Sequence, residues 1–530
     1  MGSLCNLVTN ISHMKRSLFS LLILSLLVGC ARNETKAPVE VSEADAIELA
    51  ASITEAELKE HLFIYASDEF EGRETGTEGQ KKAVQYIVDY YKKLNLDPAA
   101  GTNDYLQKVP VNYTTAPTGS ASVGNTSLEL GEQLVSFTPL DGEFAMVFIG
   151  HGIVDGVVND YENLDVEGKM VLAVAGEPKN EDGTYVLTGT EEASKWSNRS
   201  EALPKRVDAA KENGAAGILF VDDENFARYN RYFSYMRRNN SGQMRLDTGE
   251  ETLFSGLLNS ESLALFGLNT DDFEGKAIDL SFSASIQGGT KEVDTENVAA
   301  VIEGVEFPDE YVVISSHLDH IGINADGEIN NGADDDGSGT VALLEIAEAF
   351  KMAKEQGKGP RRTVVFLHVT GEEKGLLGSE YYTDFEPLYP LENTVTNLNI
   401  DMIGRIDPER SGDRNYIYLI GSDKLSTDLH ELSEAVNQKY MQIELDYTYN
   451  DENDPNRFYY RSDHYNFAKN NIPIIFYFNG THDDYHRESD TPDKINYDLL
   501  ENRSRLVFHT ALEVANRDQK PVVDKAEVEE

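Results

Sequence analysis

Two rhythms of hydrophobic and polar residues divide the chain. From Ala46 to Leu94, apolar residues return every three or four positions, which is the spacing of helices that bury one face. Thr54 stands where a residue that caps a helix is expected. From about residue 112 to residue 292, short apolar runs are separated by Gly, Asn and Asp, which is typical of short strands joined by turns. One helix is predicted there, over 205–213.

From about residue 293 to Ala515, apolar strands alternate with helical patterns. The predicted strands are 312–316, 362–370, 397–401, 416–421 and 474–478, and the predicted helices are 339–353, 375–384, 425–439 and 497–515. This alternation predicts an α/β fold, with a central mixed β-sheet flanked by helices on both faces. We expect one domain made of 46–111 and 293–515, interrupted by a small β-rich insert over 112–292. The charged residues 516–530 are predicted to be a disordered acidic tail.

The N-terminus has the composition of a targeting segment. A basic stretch, Met14 to Arg16, precedes an apolar run of 11 residues, Leu18 to Val28, which is too short to span a bilayer. The run ends in Leu27-Val28-Gly29-Cys30, which resembles the signal of bacterial lipoproteins. The resemblance implies removal of residues 1–29, lipid modification of Cys30 and a linker over 30–45.

The expected location follows from this signal. The protein is exported and anchored by the lipid on Cys30 to a bacterial membrane, facing the periplasm or the cell surface. The outer membrane is favoured because Ala31, rather than an aspartate, follows the cysteine. No other contact with a membrane is expected.

Net charge and cysteine content limit the partners and the metal ligands that the chain can have. The chain has 530 residues and a formal net charge of -47, which argues against a nucleic-acid partner because phosphates would be repelled. Its two cysteines are Cys5 and Cys30. If Cys5 is removed and Cys30 is acylated, any metal ligands must be His, Asp or Glu.

Such residues recur where predicted strands end. His317 follows the strand 312–316, three aspartates occupy 334–336, two glutamates occupy 372–373, and Asp401 and His486 follow later strands. Ligands bind at the carboxyl ends of strands in open α/β sheets, and zinc accepts imidazole and carboxylate ligands together. Each block alone is commonly structural, and the agreement of five blocks favours a metal site.

The five blocks in order resemble the zinc-dependent aminopeptidases of the M28 metallopeptidase family. The blocks are His-x-Asp, Asp-x-x-Ser-Gly, Glu-Glu, an Asp after a strand, and a His before x-x-x-Asp-Thr. The resemblance implies peptide substrates and two Zn²⁺ ions per chain. It assigns Asp335 as the bridge between the ions, His317 and Asp401 to one ion, Glu373 and His486 to the other, and Glu372 as the general base.

The resemblance also implies roles for neighbouring residues. Asp319 is expected to hold the second nitrogen of His317, and a cis peptide bond is expected after Asp335. Tyr459 is the expected oxyanion donor, with Tyr460 as the alternative. Asp334 and Asp336 are expected to be solvated or to cap a helix. Four further histidines are expected to pack or to form hydrogen bonds: His320, His368, His464 and His482.

Part of the insert resembles a protease-associated (PA) domain. The segments that carry the resemblance are 160–172 and 209–219. No catalytic constellation is found between 112 and 292. We therefore expect the insert to act as a lid or a spacer.

Other functions remain open. A carboxypeptidase or dipeptidase of the same family would need an arginine for the terminal carboxylate, and Arg405, Arg457 and Arg461 are placed for this. A glutaminyl cyclase with one zinc ion and a non-catalytic M28-like binding protein are further alternatives. The residues 334–345 also fit a loose EF-hand calcium loop, but no entering helix is predicted before them.

Overall fold

The computed structural model describes residues 41–239, 241–249, 252–269 and 272–525. The predicted signal peptide and Cys30 lie outside these residues. The α-helices are α1 (Glu43–Ala50), α2 (Glu55–Tyr65), α3 (Glu78–Lys93), α4 (Ala202–Glu212), α5 (Asp223–Asn239), α6 (Gly339–Glu355), α7 (Leu377–Glu380), α8 (Thr427–Val436), α9 (His464–Ala468) and α10 (Tyr497–Asn516). In the described part of the chain, no helix is both long and apolar enough to cross a membrane.

The strands fall into two groups along the chain. The first strands are β1 (Asp97–Pro98), β2 (Leu106–Val123), β3 (Thr126–Leu128), β4 (Leu134–Ser136), β5 (Leu140–Phe148), β6 (Val154–Asp155), β7 (Val158–Asn159), β8 (Met170–Val174), β9 (Gly217–Val221), β10 (Gly242–Leu246) and β11 (Phe254–Leu258). The later strands are β12 (Lys276–Ile302), β13 (Phe307–His317), β14 (Arg362–Val369), β15 (Thr394–Ile400), β16 (Tyr416–Ile420), β17 (Glu444–Asp446) and β18 (Ile474–Phe478).

The C-terminal half is built on a mixed sheet with strand order β17-β16-β18-β15-β13-β14-β12. Its four central strands, β14, β13, β15 and β18, are parallel, and β12 and β16 run antiparallel to them. Every residue of β14 is buried, as expected for a sheet that is covered on both faces. One face packs against the hydrophobic cluster that includes α2, α3, α6 and α10. This confirms the expected α/β class.

The insert has a hydrophobic cluster of its own, formed by residues between 116 and 286. Its strands β5, β8, β9 and β11 are parallel, and β4 pairs antiparallel with β11. The long strands β2 and β12 pair with each other and connect the insert to the rest of the sheet. The expected boundaries at 111 and 293 therefore lie inside β2 and β12. The assignment to a PA domain stays a prediction.

Three local features differ from the expectations. Helix α1 begins inside the predicted linker 30–45, because Ser42 and Asp45 form a reciprocal capping box that satisfies free N–H groups. Helix α5 was not expected, because its sequence is mostly polar and only a few apolar side chains such as Phe233 are buried. The tail is ordered as far as Lys525: Asp524 accepts a hydrogen bond from the Thr427 N–H at 2.9 Å, at the start of α8.

Candidate metal centre

His317 is the last residue of β13 and is almost fully buried. Its Nε2 atom lies 3.2 Å from Asp335 Oδ1 and 3.6 Å from Asp401 Oδ1. This atom has no hydrogen-bond partner in the described part of the chain. The parallel pairing of β13 with β14 and β15 brings the ends of these strands to one edge. The structure therefore brings His317, Asp335 and Asp401 together, as the sequence predicted.

Asp335 lies on the turn between β13 and α6. The peptide bond after it is cis, as expected. The N–H groups of Asp334 and Asp335 both donate to Asp490 Oδ2, at 2.9 and 3.3 Å. Burial, followed by the neighbouring charge of Asp334, raises the pKa of Asp490 to about 6. This buried carboxyl, which the sequence analysis did not single out, holds the turn that presents Asp335.

A second group of side chains faces the other oxygen of Asp335. His486 Nε2 lies 3.1 Å from Asp335 Oδ2 and 3.2 Å from Glu373 Oε2. His320, which was expected only to pack or to form hydrogen bonds, places Nδ1 2.8 Å from Glu373 Oε1 and 3.8 Å from Asp335 Oδ2. Glu373 is thus contacted by two histidines. The sequence offered no basis for choosing His320, because it belongs to the same short segment as His317.

The electrostatics of the cluster show an excess of negative charge. Burial disfavours the ionised form of Asp335, but His317, His320 and His486 outweigh burial and hold its pKa well below the usual value. Although burial opposes a charge on His486, its contacts with Asp335 and Glu373 raise its pKa to about 10. Although burial opposes it, the pKa of His317 is also raised well above its usual value by the neighbouring Glu372, Asp335 and Asp401. Protons on His317 and His486 therefore supply positive charge beside the carboxylates.

The donor set fits divalent metal ions. Two groups of ligand atoms each lie within 4.8 Å of one another, namely His317 with Asp335 and Asp401, and His320 with Asp335 and Glu373. Both groups include Asp335, whose Oδ1 faces His317 and whose Oδ2 faces His320. Imidazole nitrogen and carboxylate oxygen are ligands that zinc accepts, and His317 Nε2 points at two of these carboxylates, those of Asp335 and Asp401.

Glu372 lies beside this cluster without belonging to either ligand group. Its Oε2 atom is 4.0 Å from His317 Nε2. Burial raises its pKa well above the usual value, and the nearby Glu373, Asp401 and Asp463 add to the effect. A carboxylate whose proton affinity is raised in this way is suited to take a proton.

Asp319 supports the site differently from the expectation. The Nδ1 atom of His317 contacts the backbone carbonyl of Asp319 at 3.0 Å, whereas the carboxylate is 3.9 Å away. That carboxylate accepts hydrogen bonds from the Glu372 N–H at 3.2 Å and from Thr75 Oγ1 at 2.7 Å. Asp319 therefore connects His317 to the loop that carries Glu372.

A narrow crevice opens beside the carboxylates. Its lining residues are Asp335, Glu372, Asp401, Met402, Phe458, Arg461, Phe476, Phe478, Thr481 and Tyr485. The ring of Tyr485 stacks on His486 with centroids 3.9 Å apart. Burial raises the pKa of Tyr485 above its ordinary value, and the carboxylates of the cluster raise it further, so its hydroxyl stays protonated and can donate.

Tyr459, the expected oxyanion donor, does not line this crevice. It lines a neighbouring pocket together with its alternative Tyr460 and with Lys424, whose Nζ lies 5.0 Å from the Tyr459 ring centroid. Tyr485, which lines the crevice, was not predicted from the sequence. The available signal was its position directly before His486.

Of the three arginines considered for a terminal carboxylate, Arg461 alone lines the crevice. Its guanidinium stacks over Phe458, 5.0 Å from the ring centroid, and it has no ion pair within the described residues. Arg405 is engaged with Asp484, at 2.8 Å, and lies 3.6 Å from Asp490. Arg457 lines the neighbouring pocket.

Residues 297–511 match the family model of Peptidase family M28. The matched segment contains every residue of the two ligand groups and Glu372.

Individual relatives are peptidases. The probable glutamate carboxypeptidase LAMP1 of Arabidopsis thaliana is 36% identical over 114 residues, which cover 22% of this chain and 16% of that protein. Aminopeptidase YwaD of Bacillus subtilis (strain 168) is 23% identical over 278 residues, covering 51% of this chain and 55% of that protein. The chain thus spans less than two thirds of either relative.

A solved structure, the aminopeptidase from Aneurinibacillus sp. strain AM-1, aligns over 90% of this chain and 98% of its own, with 18% identity and a TM-score of 0.47.

Proposed function

We propose that the protein is a zinc-dependent exopeptidase that removes N-terminal residues from peptides. The observation that carries the proposal is Asp335, whose two carboxylate oxygens face separate histidines at 3.2 and 3.1 Å. A carboxylate with that arrangement suits a bridge between two metal ions. His317 and Asp401 would hold one ion, and Glu373 and His486 the other, with His320 in contact with Glu373. Zinc at these ligands supplies Lewis-acid chemistry that lowers the pKa of water and polarises a carbonyl.

Glu372 is the proposed general base. Its position beside the ligand groups, with Oε2 4.0 Å from His317 Nε2, allows it to take a proton from the attacking water, and the same carboxyl then returns that proton to the leaving amine. Asp319 fixes the backbone of Glu372 through the 3.2 Å hydrogen bond. Tyr485, rather than Tyr459, is placed in the crevice where its hydroxyl can donate to the carbonyl oxygen as negative charge develops there.

A carboxypeptidase or dipeptidase is the second candidate. The exposed, unpaired Arg461 at the crevice is suited to a substrate carboxylate. The name of the Arabidopsis relative, a probable glutamate carboxypeptidase, is consistent with this reading, whereas that of the Bacillus relative favours an aminopeptidase.

Metal analysis with matched peptides tests the proposal. We expect two zinc ions per chain and hydrolysis of a peptide with a free amino terminus, abolished by a chelator and restored by Zn²⁺. The same peptide acetylated at its N-terminus should be resistant. Cleavage of the acetylated peptide only when its C-terminus is free would instead identify a carboxypeptidase. One ion per chain would favour a glutaminyl cyclase, and metal binding without any chelator-sensitive hydrolysis would favour a binding protein.

We also propose that the protein acts outside the cytoplasm, anchored through a lipid on Cys30, and that the insert is a PA-like domain. The lipoprotein-like sequence before Cys30 supports the anchor. A Cys30→Ser variant should move from the membrane fraction to the soluble exported fraction. Retention of the variant in the membrane would contradict the anchor.

A further inference from the structure

The insert contains a cavity whose lining residues all lie between 151 and 273, before the sequence blocks that form the metal centre. Its volume is about 760 Å³, within the range of roughly 300–1,000 Å³ of small-molecule sites. It lies at the carboxyl ends of the four parallel strands β5, β8, β9 and β11. The residues that follow these strands and line the cavity include His151, Glu177, Asp222 and Ser260. Ligands of open α/β sheets bind at this edge.

The polar lining of the cavity is mostly acidic. The charged residues that line it are one lysine, Lys179, and four acidic residues: Asp160, Glu177, Asp222 and Asp223. Burial raises the pKa of Asp160, as expected where negative charge is poorly solvated. The lining therefore favours a cationic ligand.

Glu177 is the distinctive group of the cavity. It is only 6% exposed. Its Oε1 atom accepts a hydrogen bond from the Ser194 N–H at 3.0 Å, whereas its buried Oε2 atom has no hydrogen-bond partner among the residues that the structure describes. Leaving a buried carboxylate oxygen unpaired is unfavourable, so a donor from a ligand would complete this site.

Arg206 lies behind the residues that line the cavity, where its charge interacts with Asp222, Glu177 and Asp160 without a side-chain hydrogen bond to Glu177. It is fully buried, and its nitrogens donate to backbone carbonyls: His151 O at 2.7 Å, Gly176 O at 2.9 Å, Trp196 O at 2.7 Å and Ala202 O at 2.8 Å. These bonds tie the loops after β5 and β8 to α4. The cavity is therefore held open by a rigid framework.

The remaining lining is apolar and aromatic. Phe273 stacks on His151 with ring centroids 4.8 Å apart and is 49% exposed. Burial lowers the pKa of His151, and its Nδ1 atom lies 3.2 Å from the Ala175 carbonyl oxygen. The neutral ring thus donates through Nδ1. Together with Leu263 and Val174, these rings offer a surface for an apolar body.

We propose that this cavity is a second ligand site, which binds a primary ammonium group carried on an apolar or aromatic body. The ammonium pairs with the Glu177 carboxylate, and the body packs on Phe273. The amino terminus of a peptide and the side chain of a lysine share this chemistry. A metal ion is disfavoured because, within the described residues, the groups of three potential ligand atoms within 4.8 Å all contain Asp335.

Trp196 makes the test direct. It is the one tryptophan of the chain, its carbonyl accepts from Arg206, and its ring centroid lies 5.7 Å from the Arg206 guanidinium. The zinc-loaded full-length protein is titrated with 2-phenylethylamine while tryptophan fluorescence and calorimetric heat are recorded. Saturable binding is expected, and 2-phenylethanol, which lacks the charge, should bind at least about tenfold more weakly.

Variants locate the site. Glu177→Gln should weaken binding of the amine at least about tenfold, and Glu181→Gln, at an exposed glutamate of the same domain, should leave it unchanged. Phe273→Ala, which alters an exposed ring, should remove the preference for 2-phenylethylamine over ethylamine. Phenylalaninamide and Nα-acetyl-lysinamide then distinguish an amino terminus from a lysine side chain.

Three results would overturn the proposal. The first is no saturable binding of any of these amines. The second is equal binding by 2-phenylethanol or an unchanged affinity in Glu177→Gln. The third is a fluorescence change produced by Ca²⁺ or Mn²⁺ alone and lost in Glu177→Gln, which would make the cavity a metal site.

Discussion

Three adjacent aspartates after Gly332 show how residues of one type take different tasks. Asp335 faces two histidines, whereas Asp334 and Asp336 are fully buried and accept backbone N–H groups. Both were expected to be solvated or to cap a helix; neither is solvated, and Asp336 accepts the Gly339 N–H at the start of α6. The spacing to Ser338 selects Asp335 from the sequence. The partners of its neighbours belong to distant segments and could not be predicted.

Substitution of Glu372 and Asp335 separates catalysis from metal binding. Glu372→Ala should retain both zinc ions and lose activity by about two to four orders of magnitude, because a general base is removed. Asp335→Ala should lose both metal and activity, since both ligand groups include this residue. Metal content by elemental analysis and peptide hydrolysis are measured on the same preparations. Loss of zinc in Glu372→Ala would contradict the assigned roles.

Tyr485 and Tyr459 form a matched pair for the oxyanion donor. Tyr485→Phe should lower kcat by roughly 10²–10³-fold with little change in KM, because the donor acts on charge that develops in the transition state. Tyr459→Phe should have a smaller effect, since its ring lines the neighbouring pocket. Measuring kcat and KM of both variants shows which tyrosine is the oxyanion donor. The reverse order of effects would restore the role predicted for Tyr459.

At the scale of elements, one buried carboxylate joins three of them. Asp336 accepts the His317 N–H at the end of β13 at 3.2 Å, the Gly339 N–H at the start of α6 at 2.9 Å, and the Met402 N–H after β15 at 3.1 Å. Each of these N–H groups lies where a strand or helix has no regular partner for it. The carboxylate therefore fixes the relative positions of the ligand-bearing strand ends.

Asp336→Ala should lower the free energy of unfolding by roughly 2–5 kcal/mol, because it leaves buried N–H groups unsatisfied. Urea unfolding of the metal-free protein measures this without a contribution from zinc. Asp326→Ala, at an exposed loop position, serves as the control and should change little. Equal stability of the two variants would mean that water replaces the carboxylate.

The elements that could be predicted from the sequence are those with strong periodicity. Strand β18 was predicted at its observed bounds, and the helices beside the sheet were placed within a few residues, because apolar runs and capping residues are local signals. Helix α5 was missed because most of its surface is polar. His320 and Tyr485 acquire their places through loops packed against distant strands, which no local pattern encodes.

At the scale of the whole molecule, buried neutral histidines set the response to acid. Burial lowers the pKa of His368 and His464 to about 3, and burial with Arg505 and Lys439 lowers that of His509 to about 4. The unfolded chain binds protons near pH 6.5. Stability from these groups is therefore complete above pH 6.5 and falls as the pH drops towards 4.

His509 allows a quantitative test, because it is not one of the proposed metal ligands. Its ring stacks on that of Tyr440 with centroids 4.1 Å apart. Between pH 6.5 and about 4, His509→Gln should reduce the slope of unfolding free energy against pH by about 1.4 kcal/mol per pH unit. Urea unfolding at several pH values measures the slope. An unchanged slope would show that His509 is charged in the folded protein.

Strand β12 limits how separable the two halves of the molecule are. It has 27 residues and, at about 3.3 Å per residue, extends for about 90 Å. It pairs with β5 inside the insert and with β14 beside the metal centre. The insert is consequently not an independent domain joined by flexible linkers. Excision at 112 and 292 would cut within β2 and β12, which both halves share. Stable, soluble expression of the peptidase half without it would contradict this view of its modularity.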